Sequence, residues 1–140
     1  MTVVIDTNVA LGMFNAQHAN HEIFLAWAAN CFTWAVSTEI LLEYEEVIAR
    51  QSSASRAARA FQMIDAVATW RKNLRLITPH FRWHLISADP DDDKFGDCAI
   101  AAEAEWVVTE DGHFDALRNS GHKHQPITPG EFIARVLAAV

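Results

Sequence analysis

The stretch Asp89–Asp111, DPDDDKFGDCAIAAEAEWVVTED, constrains the fold more than any other part of the chain. It begins with clustered aspartates and then runs apolar for the length of a short helix. After Glu103-Ala104-Glu105 it becomes the run Trp106-Val107-Val108-Thr109 and ends on Glu110-Asp111. Pro90 disfavours helical backbone at Asp89, so the helix is expected to start near Asp91–Asp92. A helix that starts in acid, followed by a buried strand that ends in acid, brings carboxylates to one edge of an α/β sheet.

The other segments fit such a sheet. Thr2–Ile5 is a short run rich in β-branched residues, as in a strand buried on both faces and central in a parallel sheet. It ends on Asp6-Thr7-Asn8. A helix is expected to begin within residues 9–15, and another over roughly 21–30, with Ile23, Phe24, Trp27 and Ala28 on one stripe. Phe32–Val36 reads as a second strand, and Ser37 as the N-cap of a helix over about 38–50. Ile40, Leu41, Tyr44, Val47 and Ile48 form its apolar stripe, while Glu39, Glu43 and Glu46 share another face. A serine cluster then separates it from a helix over about 55–73, with Ala57, Ala60, Phe61, Ile64 and Ala68 inward. Leu74–Thr78 reads as a third strand, and 80–88 as either a short strand or an extended link. Residues 113–118 form a loop or short helix, and Pro126-Ile127 an edge strand. Thr128-Pro129-Gly130-Glu131 starts a helix running to about Ala139. The alternation predicts one α/β domain over 1–140: a three-layer α/β/α fold with a central parallel sheet of about four to five strands.

Composition narrows the function classes. No apolar run approaches the roughly 20 residues of a membrane span. The N-terminus lacks a basic leader and carries Asp6 at once, so a cytoplasmic protein with no membrane partner is expected. Cys31 and Cys98 show no metal spacing and read as reduced core thiols. The net charge of −7 argues against nucleic acid, but its distribution does not. Seven of the eleven basic side chains and one of the eighteen acids lie within residues 50–84, so that stretch carries +6 and the remainder −13. Arg50, Arg56, Arg59, Arg71 and Lys72 are the candidate polyanion contacts; the alternative is a solvated helix face.

Open parallel sheets build sites at the carboxyl ends of their strands. Asp6 follows the first strand, Glu43 lies early in the helix after the second, and Asp111 follows Trp106–Thr109. Asp92, Asp93 and Asp97 lie at the start of the helix preceding Trp106. Asp91, with Asp92 and Asp93, can instead cap that helix. Phe95, Cys98, Ala99 and Ala102 form its core stripe, and Ile100 and Ala101 make it apolar all round beyond Cys98. Asp97 is therefore expected in an internal cleft rather than in open water. Crowded carboxylates repel, and neither Lys nor Arg adjoins Asp6, Glu43 or Asp111 in sequence. A hard divalent ion, Mg2+ or Mn2+, would relieve the repulsion and could activate water against a phosphodiester.

These segments together resemble the PIN domain, a family of metal-dependent ribonucleases. The matching motifs are Val4-Ile5-Asp6-Thr7-Asn8, then residues 40–47 around Glu43, then Asp89–Phe95 with Asp97–Ala102, and last Val107–Asp111 with Phe114. The DPDDDKF form is similar to the branch of VapC-like toxins paired with antitoxins. The resemblance implies that Asp6, Glu43, Asp97 and Asp111 are metal-site and catalytic carboxylates, with Asp92 or Asp93 added. It suggests that Thr7, Asn8 and Thr109 support them. Gly96 departs from the pattern, standing where a larger apolar residue is usual.

The expected function is a Mg2+/Mn2+-dependent endoribonuclease, the toxin of a type II toxin–antitoxin pair, with RNA as substrate and an antitoxin as partner. The alternatives are a non-catalytic RNA- or protein-binding module of the same fold, or an acid-cleft phosphatase. The phosphatase would use Asp6 as nucleophile, but Asn8 stands where its second aspartate belongs. The sequence contains no Gly-rich phosphate loop and no CxxC. His113 reads as a loop residue that could reach the site, and His18, His21, His122 and His124 as solvated loop residues. The five tryptophans read as mostly core or helix packing, with Trp83 alternatively stacking on a base. Phe61, Met63, Ile64, Val67 and Trp70 spread beyond one stripe, which predicts a homodimer face or a groove for an antitoxin helix.

Overall fold

The computed structural model describes residues 1–80, 82, 93–119 and 123–140. Five parallel strands form one sheet in the order β3-β2-β1-β4-β5: β1 Thr2–Ile5, β2 Thr33–Val36, β3 Leu74–Leu76, β4 Trp106–Val108 and β5 Gln125–Ile127. The helices α1 Thr7–Met13, α2 His21–Ala28, α3 Thr38–Gln51, α4 Ala54–Arg71 and α5 Asp93–Ala102 flank it in a three-layer α/β/α arrangement. β1 is central, and Val3, Val4 and Ile5 are fully buried, as its continuous apolar run requires. The chain winds outward from β1 in both directions, so the strand order reverses between β1 and β4. The residues after those two strands, Asp6 and Thr109–Asp111, therefore border the crevice where α/β folds bind ligands.

Side chains decide where the helices begin and end. α1 starts at Thr7, earlier than expected, because the Asp6 carboxylate accepts from Thr7 N–H at 2.8 Å and caps the helix as the strand ends. Ser37, Ser53 and Thr128 cap in the same way, accepting from Ile40, Arg56 and Glu131. α2 stops at Ala28, and Asn30 takes a left-handed φ of 66° two residues later. Lys72 ends α4 at φ 55°, and Glu103 follows α5 at φ 54°. β3 is shorter than Leu74–Thr78, although Ile77 N–H still donates to Val36 at 2.7 Å. The last helix begins at Pro129–Glu131, but loosens through a π turn, Phe132–Val136, and a 3-10 turn, Leu137–Ala139. Residues 113–118 lie within a 3-10 segment, Gly112–Asn119.

An aromatic chain crosses the core. Phe24, Trp27, Trp34 and Tyr44 pack with successive ring separations of 6.1, 5.0 and 5.8 Å. Within it, Trp27 and Tyr44 are hydrogen-bonded. The Trp27 indole donates to Asn73 carbonyl at 3.0 Å, the Asn73 amide returns a bond to Trp27 carbonyl at 2.7 Å, and the buried Tyr44 hydroxyl donates to Ile5 carbonyl. This last bond fixes the peptide preceding Asp6.

The structure corrects four surface readings. Trp70 is 69% exposed and lies under the Arg71 guanidinium, 3.7 Å from its ring centroid, rather than packing between helices. Phe61, Met63 and Val67 are half-buried against the monomer's own core, so that face is narrower than its periodicity suggests. His124 is buried, not solvated. His18 and His21 hold the α1–α2 loop through Asn20 N–H at 3.0 Å and Met13 carbonyl at 2.7 Å. Gly12 lies close beneath His18, where an added Cβ would come within 2.7 Å of the ring. Among the described residues, no helix is long and apolar enough to cross a membrane.

Candidate active site

Asp6 is the centre of the crevice at the carboxyl edge. It is only 6% exposed, and both its oxygens are held. Oδ1 accepts from Thr7 N–H, and Oδ2 accepts from Thr109 hydroxyl at 2.8 Å. Thr109 Oγ1 in turn accepts from Asp111 N–H at 2.9 Å. One hydroxyl thus ties the ends of β1 and β4 together and sets Asp111 beside Asp6. Asp111 Oδ1 accepts from His113 N–H at 2.9 Å, with His113 Nδ1 at 3.3 Å. Burial pushes the Asp6 carboxyl above its ordinary value, the Asp111 and Glu43 charges push it further, and the Thr109 and Thr7 bonds only partly offset this.

Glu43 reaches the cluster from α3. Its Oε2 accepts from Thr7 hydroxyl, and its Oε1 lies 2.9 Å from Lys94 Nζ. Lys94 is the site residue that the linear sequence hides: it adjoins none of the three carboxylates along the chain, yet α5 delivers it to Glu43. Its only sequence signal is its position three residues before Asp97 on α5, close to that acid on the helix surface.

Asp97 is 4% exposed and lines a small cleft with Ser37, Glu39, Pro79, Arg82 and Lys94. The expected burial is observed, but the expected cause is not. Ala101 is exposed and Ile100 half-buried, and both line an open groove with Asp97 and residues 76–80. The small, exposed Ala101 leaves space beside the acid instead of covering it. Asp93 and Gly96 are buried on the same helix. Asp92 lies outside the described residues, as do Asp89–Asp91, Trp83, His84 and His122. Thr7 and Thr109 contact the acids directly. Asn8 is exposed and makes no side-chain hydrogen bond among the described residues.

The basic candidates divide into two places. Arg56 and Arg59, on the first turns of α4, line a groove with Leu11, Phe14, Ile48 and Met63. Arg50 pairs with Glu46 on the exposed face of α3 at 3.5 Å. Arg71 and Lys72 precede β3, and Arg71 Nε donates to Ala28 carbonyl at 2.9 Å, just ahead of β2. Both therefore sit at the amino edge of the sheet, opposite the acids.

The donor set suits a hard cation in type and charge: carboxylate and hydroxyl oxygens, with an Asp6 carboxyl raised by burial first and then by its anionic neighbours. Among the described residues, no three His, Cys, Asp or Glu side chains form a ready-made metal cage.

Residues 2–113 match the family model described as PIN domain. Among curated proteins, none matches this sequence. Two solved structures share the fold. A chain of VapBC2 from Rickettsia felis, bound to a DNA fragment from their promoter, superposes with a TM-score of 0.59 at 16% identity, covering 91% of this chain and 98% of that one. VapC20 from Mycobacterium tuberculosis, a Sarcin-Ricin loop cleaving toxin, gives a TM-score of 0.54 at 15% identity, covering 86% and 97%.

Proposed function

The chain belongs to the PIN domain family, and from that premise we propose that it is a divalent-metal-dependent endoribonuclease, the toxin of a toxin–antitoxin pair. The observation that carries this reading is the Thr109 hydroxyl, which joins Asp6 and Asp111 into one anionic pair at the crevice between β1 and β4. Asp6, Glu43, Asp97 and Asp111 are its acidic residues, Asp92 and Asp93 are additional ones, and Mg2+ or Mn2+ is the ion. Asp6 and Asp111 hold the ion directly. When bound, such an ion polarises the phosphate and lowers the pKa of a bound water.

The chain's own groups prepare the site. Thr7 N–H and Thr109 hydroxyl hold the Asp6 carboxylate in one orientation, so little reorganisation is required on binding. Tyr44 fixes the Ile5 peptide behind it. The open groove over Asp97 leaves room for an RNA strand, and Arg56 and Arg59, which line a separate groove, are the basic residues proposed to contact its phosphates. The likeness to VapC20 supports an RNA substrate, and the likeness to VapBC2 supports an antitoxin partner. We propose a cytoplasmic protein, and a homodimer fits the exposed Leu42 on α3 and Trp70 on α4.

The test is cleavage of a structured RNA by purified protein with Mg2+, with Mn2+, and with a chelator. Cleavage only with metal, lost in Asp6→Asn, is expected. Metal-independent cleavage, or full activity of Asp6→Asn, would overturn the reading.

A further inference from the structure

Glu43 is the carboxylate of the cluster that carries a cation of its own. Thr7 hydroxyl bonds one oxygen, and Lys94 Nζ stands 2.9 Å from the other. Lys94 is no surface lysine, since its side chain is only 15% exposed. Withdrawing an ammonium from water is costly and persists only where anions compensate. Lys94 also lines the small cleft that holds Asp97 and Ser37.

We propose that the Lys94 ammonium is the built-in second cation of this cleft. It stands in for a second divalent ion, so that the site takes a single one at Asp6 and Asp111. Glu43 is then a positioning residue for Lys94 rather than a metal ligand. The charges favour this division. Lys94 meets Glu43 at 2.9 Å and lines the cleft of Asp97, so its charge offsets part of that acidic side, and Asp6 and Asp111 are left to the ion. An ammonium has three N–H donors, so it can hold Glu43 and a phosphate oxygen of the RNA together. Lys94 would thereby contact the substrate as well as Glu43. This inference rests on the proposed nuclease reading.

The test uses Mn2+ titration by calorimetry and, separately, metal-free binding of a 2′-O-methyl RNA oligonucleotide, which cannot be cleaved through its 2′-hydroxyls. Wild type, Lys94→Met, Lys94→Arg and Asp6→Asn are compared. Wild type should bind one Mn2+ per chain, and Asp6→Asn should lose it. Lys94→Met should bind Mn2+ about tenfold more tightly, because one repelling charge is gone, and the oligonucleotide about tenfold more weakly. Lys94→Arg should retain the wild-type order of both affinities. A purely structural lysine would not move the two affinities in opposite directions. Should Lys94→Met fail to fold, Lys94→Gln carries the same expectations. Two Mn2+ ions in wild type, or unchanged affinities in both neutral variants, would overturn the proposal while leaving the metal site in place. Wild-type protein that binds no Mn2+, or Asp6→Asn that binds it normally, would instead overturn the nuclease reading beneath it.

Discussion

The two edges of the sheet treat carboxylates in opposite ways. At the amino edge, Glu105 accepts from Thr2 N–H at 2.6 Å and pairs with Lys123 Nζ at 3.2 Å. Partial burial alone would raise its pKa, but the Thr2 bond, Lys123 and the N-terminal ammonium outweigh it, and the carboxyl is held below its ordinary value of 4.5. At the carboxyl edge, Asp6 is buried beside Asp111 and Glu43 and is held above its ordinary value of 3.8. Glu105 closes the start of β1 against β4 and stabilises the fold as an anion. Burial and its anionic neighbours penalise ionisation of Asp6, a cost that packing elsewhere must cover. Such a penalty at a crevice is what a group kept for binding a cation looks like.

The sharpest way to break this contrast is to neutralise each acidic side in turn. Asp6→Asn and Asp111→Asn should each reduce RNA cleavage about a thousandfold, because metal-ion stabilisation of several kcal/mol is lost. Their metal-free melting temperatures should stay level or rise. The folded state binds the Asp6 proton more tightly than the unfolded chain does, so ionisation there costs stability above the raised pKa and removing the charge relieves it. Cleavage assays and thermal melts in chelator measure the two sides. A large drop in melting temperature for Asp6→Asn would mean that Asp6 serves the fold, as Glu105 does.

The next contrast is between basic residues. Arg56→Ala with Arg59→Ala should flatten the salt dependence of RNA binding, each lost phosphate contact reducing the log–log slope by about 0.7. Arg71→Ala with Lys72→Ala should leave it unchanged, because Arg71 is bonded to Ala28 at the opposite edge. Filter binding at several salt concentrations checks both pairs. Equal slope changes would remove the distinction between the edges.

A smaller effect is expected behind Asp6. Tyr44→Phe removes the donor to Ile5 carbonyl and should cost about 1 kcal/mol in chemical denaturation, with a measurable loss of cleavage. Unchanged stability and cleavage would show that the Asp6 backbone is held by its strand alone.

How much of this is legible in the sequence depends on whether the cause is local. The strand Thr2–Ile5, the Ser37 and Thr128 caps and the acids after β1 and β4 follow from run length, side-chain chemistry and parallel-sheet logic. The Lys94–Glu43 pair is not local: it joins the second turn of α3 to the start of α5, and only their packing brings them together. Trp70 misleads for a related reason. It shares a helical stripe with Met63 and Val67, but only those two reach the core, because Trp70 lies farther round the helix from the buried Ala57, Ala60 and Ile64. Asp97 is buried as expected, yet under an open groove lined by Ala101 rather than within an enclosed helix. Periodicity identifies a face; it does not say what stands opposite.

The smallest effect belongs to the amino edge itself, and its sign distinguishes the two carboxylates. Glu105 has a depressed folded pKa, so its contribution is complete above the unfolded value near 4.5 and is lost as pH falls through the folded value. Glu105→Gln should therefore lower stability slightly at neutral pH and make no difference once the wild-type carboxyl is protonated. The side chain is about a third exposed, so solvent screens the Lys123 pair and the Thr2 bond supplies most of the effect. Asp6→Asn should show the reverse: a gain at neutral pH that shrinks as pH falls through the raised Asp6 pKa. Denaturation of wild type and both variants in chelator, from neutral pH down to the acid limit of folding, gives two difference curves of opposite sign. Glu105→Gln should leave RNA cleavage untouched, since the amino edge is remote from the crevice. Curves of the same sign would mean that the edges do not differ in what their carboxylates are for.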